Sequence, residues 1–172
     1  ETASNIFSGI VILIDKPFAV GDWILVGDVE GEVIDINFRS IKIRSLDKTV
    51  SVITNSKVCS STIVNCAMRS TRPYKFTLGV TYNTSRAKLE QLMADLTAML
   101  EASPYVEKGS ALVRLTSFGD SSINLLVSAY LLTNQAGTFL QMQNDLNLNV
   151  MDVMQKNNVD FAFPSTTVYL SK

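Results

Sequence analysis

Apolar residues at Ile6, Phe7, Ile10, Val11 and Ile14 recur with alternating spacings of one and three, which predicts a helix from Thr2 to Leu13. Lys16 and Pro17 end it, because the residue before a proline is pushed out of the helical region. The apolar exit of this helix needs a cover, either lipid or neighbouring chains. After Gly21 the period shortens to two. "DWILVG", "GEVIDINFRSIKIRS" and "TVSVIT" read as strands, with turns at Gly27 to Gly31 and at Asp47 to Lys48. Asp35, Asn37, Arg39, Lys42 and Arg44 alternate with Ile34, Ile36, Phe38, Ile41 and Ile43, so one face is apolar and the other wet. A turn at Asn55 and Ser56 leads to a last short strand through Ile63 and Val64. Gly21, Gly27 and Gly31 are expected in turns that need a positive φ.

"AMRSTRP", residues 67–73, is a boundary: composition turns polar and basic, and Pro73 stops any continuing element. A second pattern follows. "YKFTLGVTY" alternates as a strand, and residues 85–102 place Leu89, Leu92, Met93, Leu96, Met99 and Leu100 on one helical face before Pro104. "ALVRLTSF" and "INLLVSAYLL" are strands joined by "GDSS". Thr138 and Gln141 form a capping box for a helix carrying Phe139, Met142, Leu146, Val150 and Val153, and "STTVYL" ends the chain as a strand. The order β-α-β-β-α-β is the split βαβ, or ferredoxin-like, arrangement with two helices on one face of an antiparallel sheet.

Composition narrows the function. A chain of 172 residues with 47% hydrophobic and 18% charged side chains folds around a core, and a net charge of −1 supplies no global field for nucleic acid or anionic membrane. The longest apolar run, "IVILI", is far short of the roughly 20 residues that span a bilayer. Because the chain opens on Glu1, without a signal-like series, it is expected to be a piece of a longer protein. Cys59 and Cys66 are seven apart, which fits neither a redox pair nor a zinc knuckle, so both are expected as reduced packing thiols in a cytoplasmic setting.

No histidine is present, which removes the commonest general base and zinc ligand and weighs against hydrolase and metalloenzyme chemistry. Ser121 and Ser122 beside Asp120 therefore read as a turn and not as nucleophiles. Arg69, Arg72 and Lys75 read as a solvated linker before they read as a phosphate grip. Asn83 to Ser85 matches a glycosylation sequon but fits better as the cap of the helix that starts there. No catalytic residue, metal ligand or cofactor is expected.

"NIFSGIVILIDKPFAVGDWI", "VEGEVIDINFRSIKIRSLDKTVSVITNS", "IVN", "VTYNTS", "FGDSSINLLV" and "FAFP", in this order, resemble the small-conductance mechanosensitive channel family. The likeness runs through nearly the whole chain. It is carried chiefly by Pro17, Phe18, Gly21, Asp22, Gly31, Val33, Arg39, Asn55, Ser56, Asn65, Phe163 and Pro164, and all of these except Val33 are expected to act in structure or gating coupling. Thr54 departs from it, standing where family members usually have proline.

The resemblance implies an α+β protein in four parts. Residues 1–16 would be the cytoplasmic half of the pore helix, and residues 17–66 an Sm-like β domain whose strands join across subunits. Residues 67–163 would be an α/β vestibule domain, and residues 164–172 a strand of an inter-subunit β barrel. It further implies a homo-oligomer, a heptamer, joined to the cell's inner membrane through helices preceding this chain. Such a channel releases ions and small osmolytes under membrane tension. Two other classes compete. An Sm-like RNA-binding ring also uses a turn-rich bent sheet, but neutral charge and the appended module count against it, and no nucleic-acid partner is expected. A small-ligand regulatory domain lacks a Gly-rich phosphate cradle.

Overall fold

A computed structural model describes residues 2–166. The chain divides into two compact units, Glu1–Ser70 and Thr71–Lys172. In the first, helix α1 (Thr2–Asp15) precedes strands β1 (Trp23–Val26), β2 (Val29–Ile36), β3 (Ser40–Arg44) and β4 (Val50–Thr54). Helix α2 (Asn55–Ser60), β5 (Ile63–Asn65) and a 3-10 turn (Cys66–Met68) complete it. The sheet is antiparallel in the order β4-β3-β2-β1-β5, so β4 and β5 are its edges. Ile24, Val26, Val33, Ile41, Ile43, Ile53 and Val58 fill its core together with Ile12 of α1 and Phe18.

Several expectations need correction here. Asn55 and Ser56 do not form a turn; they open α2, whose preceding residue Thr54 has φ −68° and ψ 142°. The run from Gly31 to Ser45 is two strands. The register shifts between Val33 and Asp35, which changes which side chains face inward, and Phe38 lies 70% exposed in the β2–β3 connection. Gly21 and Gly27 do have positive φ, 97° and 58°, with Gly27 in the two-residue turn between the paired Val26 and Val29. Gly31 does not. It lies buried within β2, where a Cβ would come within 2.6 Å of the Arg44 carbonyl carbon and 2.9 Å of Ile43 Cγ2. Close approach of two strands, not a turn, requires a glycine there. Cys59 is exposed and Cys66 half-buried, both as free thiols.

The second unit comprises β6 (Arg72–Val80), α3 (Arg86–Ala102), β7 (Leu112–Phe118), β8 (Ile123–Leu131) and α4 (Ala136–Lys156). Its sheet runs β6-β8-β7, antiparallel throughout. Alternate residues of β8, from Ile123 to Leu131, are buried against Leu89, Leu92, Leu96 and Leu100 of α3 and Leu146, Val150 and Met154 of α4. Each of these side chains contributes about 1.5–3 kcal/mol by leaving water. Ser85 caps α3 by accepting from the Lys88 N–H, as the sequon residues suggested.

Pro73 does not end an element. It is the second residue of β6, an edge strand, where a missing N–H breaks no ladder. Arg72 is likewise no solvated linker: its Nε donates to the Asn134 carbonyl at 3.2 Å, and its guanidinium lies 5.7 Å from the Phe139 ring centroid. Nor does Thr138 cap α4, which begins two residues earlier behind Gln135. After α4, Phe161 bridges Val80 on the free side of β6, the position of a fourth strand. Of "STTVYL", residues 167–170 lie outside the described residues.

Candidate functional site: the seat of helix α1

Helix α1 docks by its least apolar face. Asn5, Gly9 and Ile12, four and three apart, are buried, while Ile6, Phe7, Ile10, Leu13 and Ile14 are 43–73% exposed. The seat is built from main chain and amides. A Cβ on Gly9 would come within 2.5 Å of the Phe38 carbonyl oxygen and 2.6 Å of Asn55 Nδ2, so only glycine lets the helix lie this close. Asn55 is fully buried, and its Nδ2 donates to the carbonyls of Asn37 at 2.9 Å and Asn5 at 3.4 Å. Asn5 Oδ1 in turn accepts from the Ser56 N–H at 3.0 Å, which supplies an unpaired donor of the first turn of α2 with its partner.

The partners of Asn55 are themselves held. Its N–H donates to the Arg39 carbonyl at 2.9 Å. Asn37 donates to Asp35 Oδ2 at 2.7 Å, and Lys42 reaches the same oxygen at 3.1 Å. Hydrogen bonds from Lys42 and Asn37 hold the Asp35 carboxyl below its ordinary range. Asn55 Oδ1 is buried without a hydrogen-bond partner among the described residues.

The predicted residues fall in four places. Arg39, Asn55 and Ser56 meet at the seat, Arg39 through its carbonyl with its side chain exposed. Pro17, Phe18, Gly21, Asp22, Val33 and Asn65 gather where the chain leaves α1. Phe18 is buried in the core there, and Gly21 and Asp22 pair through their main chains with Val33 at 2.8 Å. Gly31 lies apart, between β1 and β3. Phe163 and Pro164 belong to the second unit, where both are exposed and line a pocket with Asp120, Ser121 and Ser122. Asn5 and Gly9 are the residues that sequence reasoning missed. A polar and a small residue stand there one helical turn apart, but Ser4 and Ser8 share that spacing on the same helix, so no local pattern singled them out.

The serine turn is structural: Gly119 N–H donates to the Ser122 carbonyl at 2.7 Å, and Ser122 Oγ donates to Asn124 Oδ1 at 2.8 Å. Among the described residues, no group of three or more Cys, Asp or Glu side chains could hold a metal ion. No helix among them is long and apolar enough to cross a membrane.

Comparison with known proteins accounts for both units. Residues 1–68 match the beta-domain of mechanosensitive ion channels, and residues 74–161 match the C-terminal domain of the MscS channel. The chain is 39% identical to an uncharacterised MscS-family protein of Aquifex aeolicus, over 100% of its own length and 47% of the relative's. It is 35% identical to the small-conductance mechanosensitive channel MscMJ of Methanocaldococcus jannaschii, of which it covers 49%. It is 34% identical to the low-conductance mechanosensitive channel YnaI of Escherichia coli, of which it covers 50%. The chain therefore spans about half the length of these relatives.

Two solved channels share its fold. Helicobacter pylori MscS in a closed state superposes with a TM-score of 0.80 at 22% identity, over 99% of this chain and 66% of that one. Arabidopsis thaliana MSL1 does so with 0.85 at 21%, over 95% and 59%. None of these matches supports the RNA-binding alternative. A helix seated on α2 and the β2–β3 connection of a five-stranded antiparallel sheet, followed by a split βαβ unit, with both domains matched in order along the chain, leaves one assignment: this chain belongs to the MscS family of mechanosensitive channels.

Proposed function

We propose that this chain is the cytoplasmic vestibule part of a tension-gated channel that releases ions and small osmolytes on hypoosmotic shock. The observation that carries the reading is the docking of α1. Its polar and small face is locked to the β module by Asn5, Gly9, Asn55 and Ser56, while its apolar face points outward. A helix so arranged is suited to lie under lipid or against neighbouring pore helices and to hand its position to the sheet beneath. The part has no catalytic chemistry in this reading. It is anchored in the inner membrane by helices that precede it, and its subunits form a homoheptamer.

Assembly has a physical basis in the sheet edges. Because the Asn55 N–H donates to Arg39, the pair Asn55/Arg39 is the hydrogen-bonded one and the next pair, Thr54/Ser40, is not. The Thr54 N–H thus faces away from β3, on the open side of β4. β5 offers a second open edge, and head-to-tail pairing of unlike edges closes a ring. The seat is tested by Gly9→Val in the channel that contains this chain, recorded in membrane patches. The expected result is a shifted tension midpoint with circular dichroism unchanged, and gating identical to the parent's would sink the coupling role. Native mass of the 172-residue chain tests the heptamer.

A further inference from the structure

A second junction in the first unit lies away from the α1 seat. Asn65 ends β5 and uses both amide donors and its carbonyl oxygen on three separate stretches of chain. Its Nδ2 donates to the Pro17 carbonyl at 3.0 Å and to Asp22 Oδ2 at 2.9 Å, and its Oδ1 accepts from the Ala67 N–H at 2.9 Å. Asp22 Oδ2 also accepts from the Ala19 N–H at 2.9 Å. One half-buried amide and one carboxylate therefore join the exit of α1, the loop into β1 and the start of the segment that runs on to the second unit.

The chain enters this junction under strain. Lys16 has φ 45°, in the left-handed region that a side chain with a Cβ resists, yet its N–H still completes the last turn of α1 on the Ile12 carbonyl at 2.9 Å. A left-handed residue directly before Pro17 persists only where the following carbonyl is held in place. Asn65 is the group that holds it. Among the described residues of the first unit, no other side chain has hydrogen bonds to both the segment that leaves α1 and the residues that follow β5.

We infer that Asn65, oriented by Asp22, is a positioning residue for gating: it fastens the end of α1 to Ala67, so that movement of the helix end is delivered to the segment leaving the first unit. The inference rests on the channel reading above. Its chemistry is directional, because the carbonyl of Pro17 needs a donor and the amide of Ala67 needs an acceptor, and the Asn65 carboxamide presents its two N–H donors and its acceptor on opposite arms of one planar group. Asn65→Ala removes all three bonds. Asn65→Asp keeps the acceptor for Ala67 but sets two carboxylates against each other. The reciprocal exchange, Asp22→Asn with Asn65→Asp, restores the bond between positions 22 and 65 and the bond to Ala67.

The test has two arms. In the 172-residue chain, amide hydrogen exchange at Ala67 and Ala19 should quicken about fivefold in Asn65→Ala, the scale of one lost hydrogen bond. Exchange at Ile41 and Ile43 should stay unchanged, and the reciprocal exchange should return Ala67 to the parent rate. In the channel containing this chain, both single variants should shift the tension midpoint or hasten closure under sustained tension, and the reciprocal pair, which leaves the Pro17 carbonyl without its donor, should stay shifted. Faster exchange throughout the sheet would make Asn65 a folding residue and overturn the proposal. So would local loosening with parental gating. A parent channel that passes no tension-gated current would instead overturn the channel reading, and this inference with it.

Discussion

The two units solve the packing of helix on sheet by opposite means. In the second, α3 and α4 meet the sheet through Leu92, Leu96, Leu100, Leu125 and Leu146, all fully buried, and shape is set by side-chain volume. In the first, α1 meets α2 and the β2–β3 connection through Asn5 and Gly9 and reaches the sheet's core through Ile12, and shape is set by how closely main chains approach. A leucine interface is tight and non-directional, so it favours permanence. An interface of carbonyls and amides is directional, so it is specific in register and sensitive to small displacements.

The comparison predicts different failures. The largest effect should come from Leu96→Ala, which opens a cavity at the centre of α3 and should cost about 2–5 kcal/mol in denaturant unfolding. Exchange of the Ser56 amide at the α1 seat should not change; coupled loss there would show that the units do not divide the work as described. Next comes Gly31→Val, which drives a branched side chain into the Arg44 carbonyl and should cost about 1–3 kcal/mol. Gly31→Ala should also destabilise, although φ is not left-handed, and an unchanged melting temperature would remove close approach as the reason for glycine.

Thr54→Pro should be milder and opposite in sign. Thr54 already has φ −68°, and its N–H faces away from β3, so proline costs no ladder bond and restricts the unfolded chain. Stability should rise by about 0.4–1 kcal/mol; destabilisation or a lower native mass would show that the Thr54 donor is used. The smallest effect concerns Glu101 at the end of α3. Its carboxylate accepts from the N–H groups of Gly109 and Ala111, which holds its pKa below the ordinary 4.5. A depressed folded pKa means that the unfolded chain binds the proton more tightly. The carboxylate's contribution is therefore full above 4.5 and is lost as pH falls through the lower folded value. Glu101→Gln should lower the melting temperature at neutral pH and flatten its acid dependence. Parallel pH curves for the two proteins would mean that the loop does not depend on that charge.

Much of this molecule was legible along the chain because period is a local property. The two-residue alternation of "INLLVSAYL" became β8 with alternate burial, and Leu89, Leu92, Leu96 and Leu100 became the buried stripe of α3. Pro17, Gly21 and Gly27 stopped or turned the chain for reasons internal to their own backbones. What periodicity could not show was which neighbours arrive from a distance. Gly31 looked like a turn residue until Arg44 was seen against it, and Asn55 looked like a turn until Asn5 and Asn37 met its amide. The apolar stripe of α1 marked its exposed side, because the face that docks is chosen by the carbonyls of Phe38 and Asn5 and not by hydrophobicity. A hydrogen bond spanning fifty residues has no signature in either partner's neighbourhood. The sequence alone determined the family of this protein and the elements whose period is local, but not α2. Only the tertiary structure decided where amide meets carbonyl, since that depends on distances the folded sheet creates.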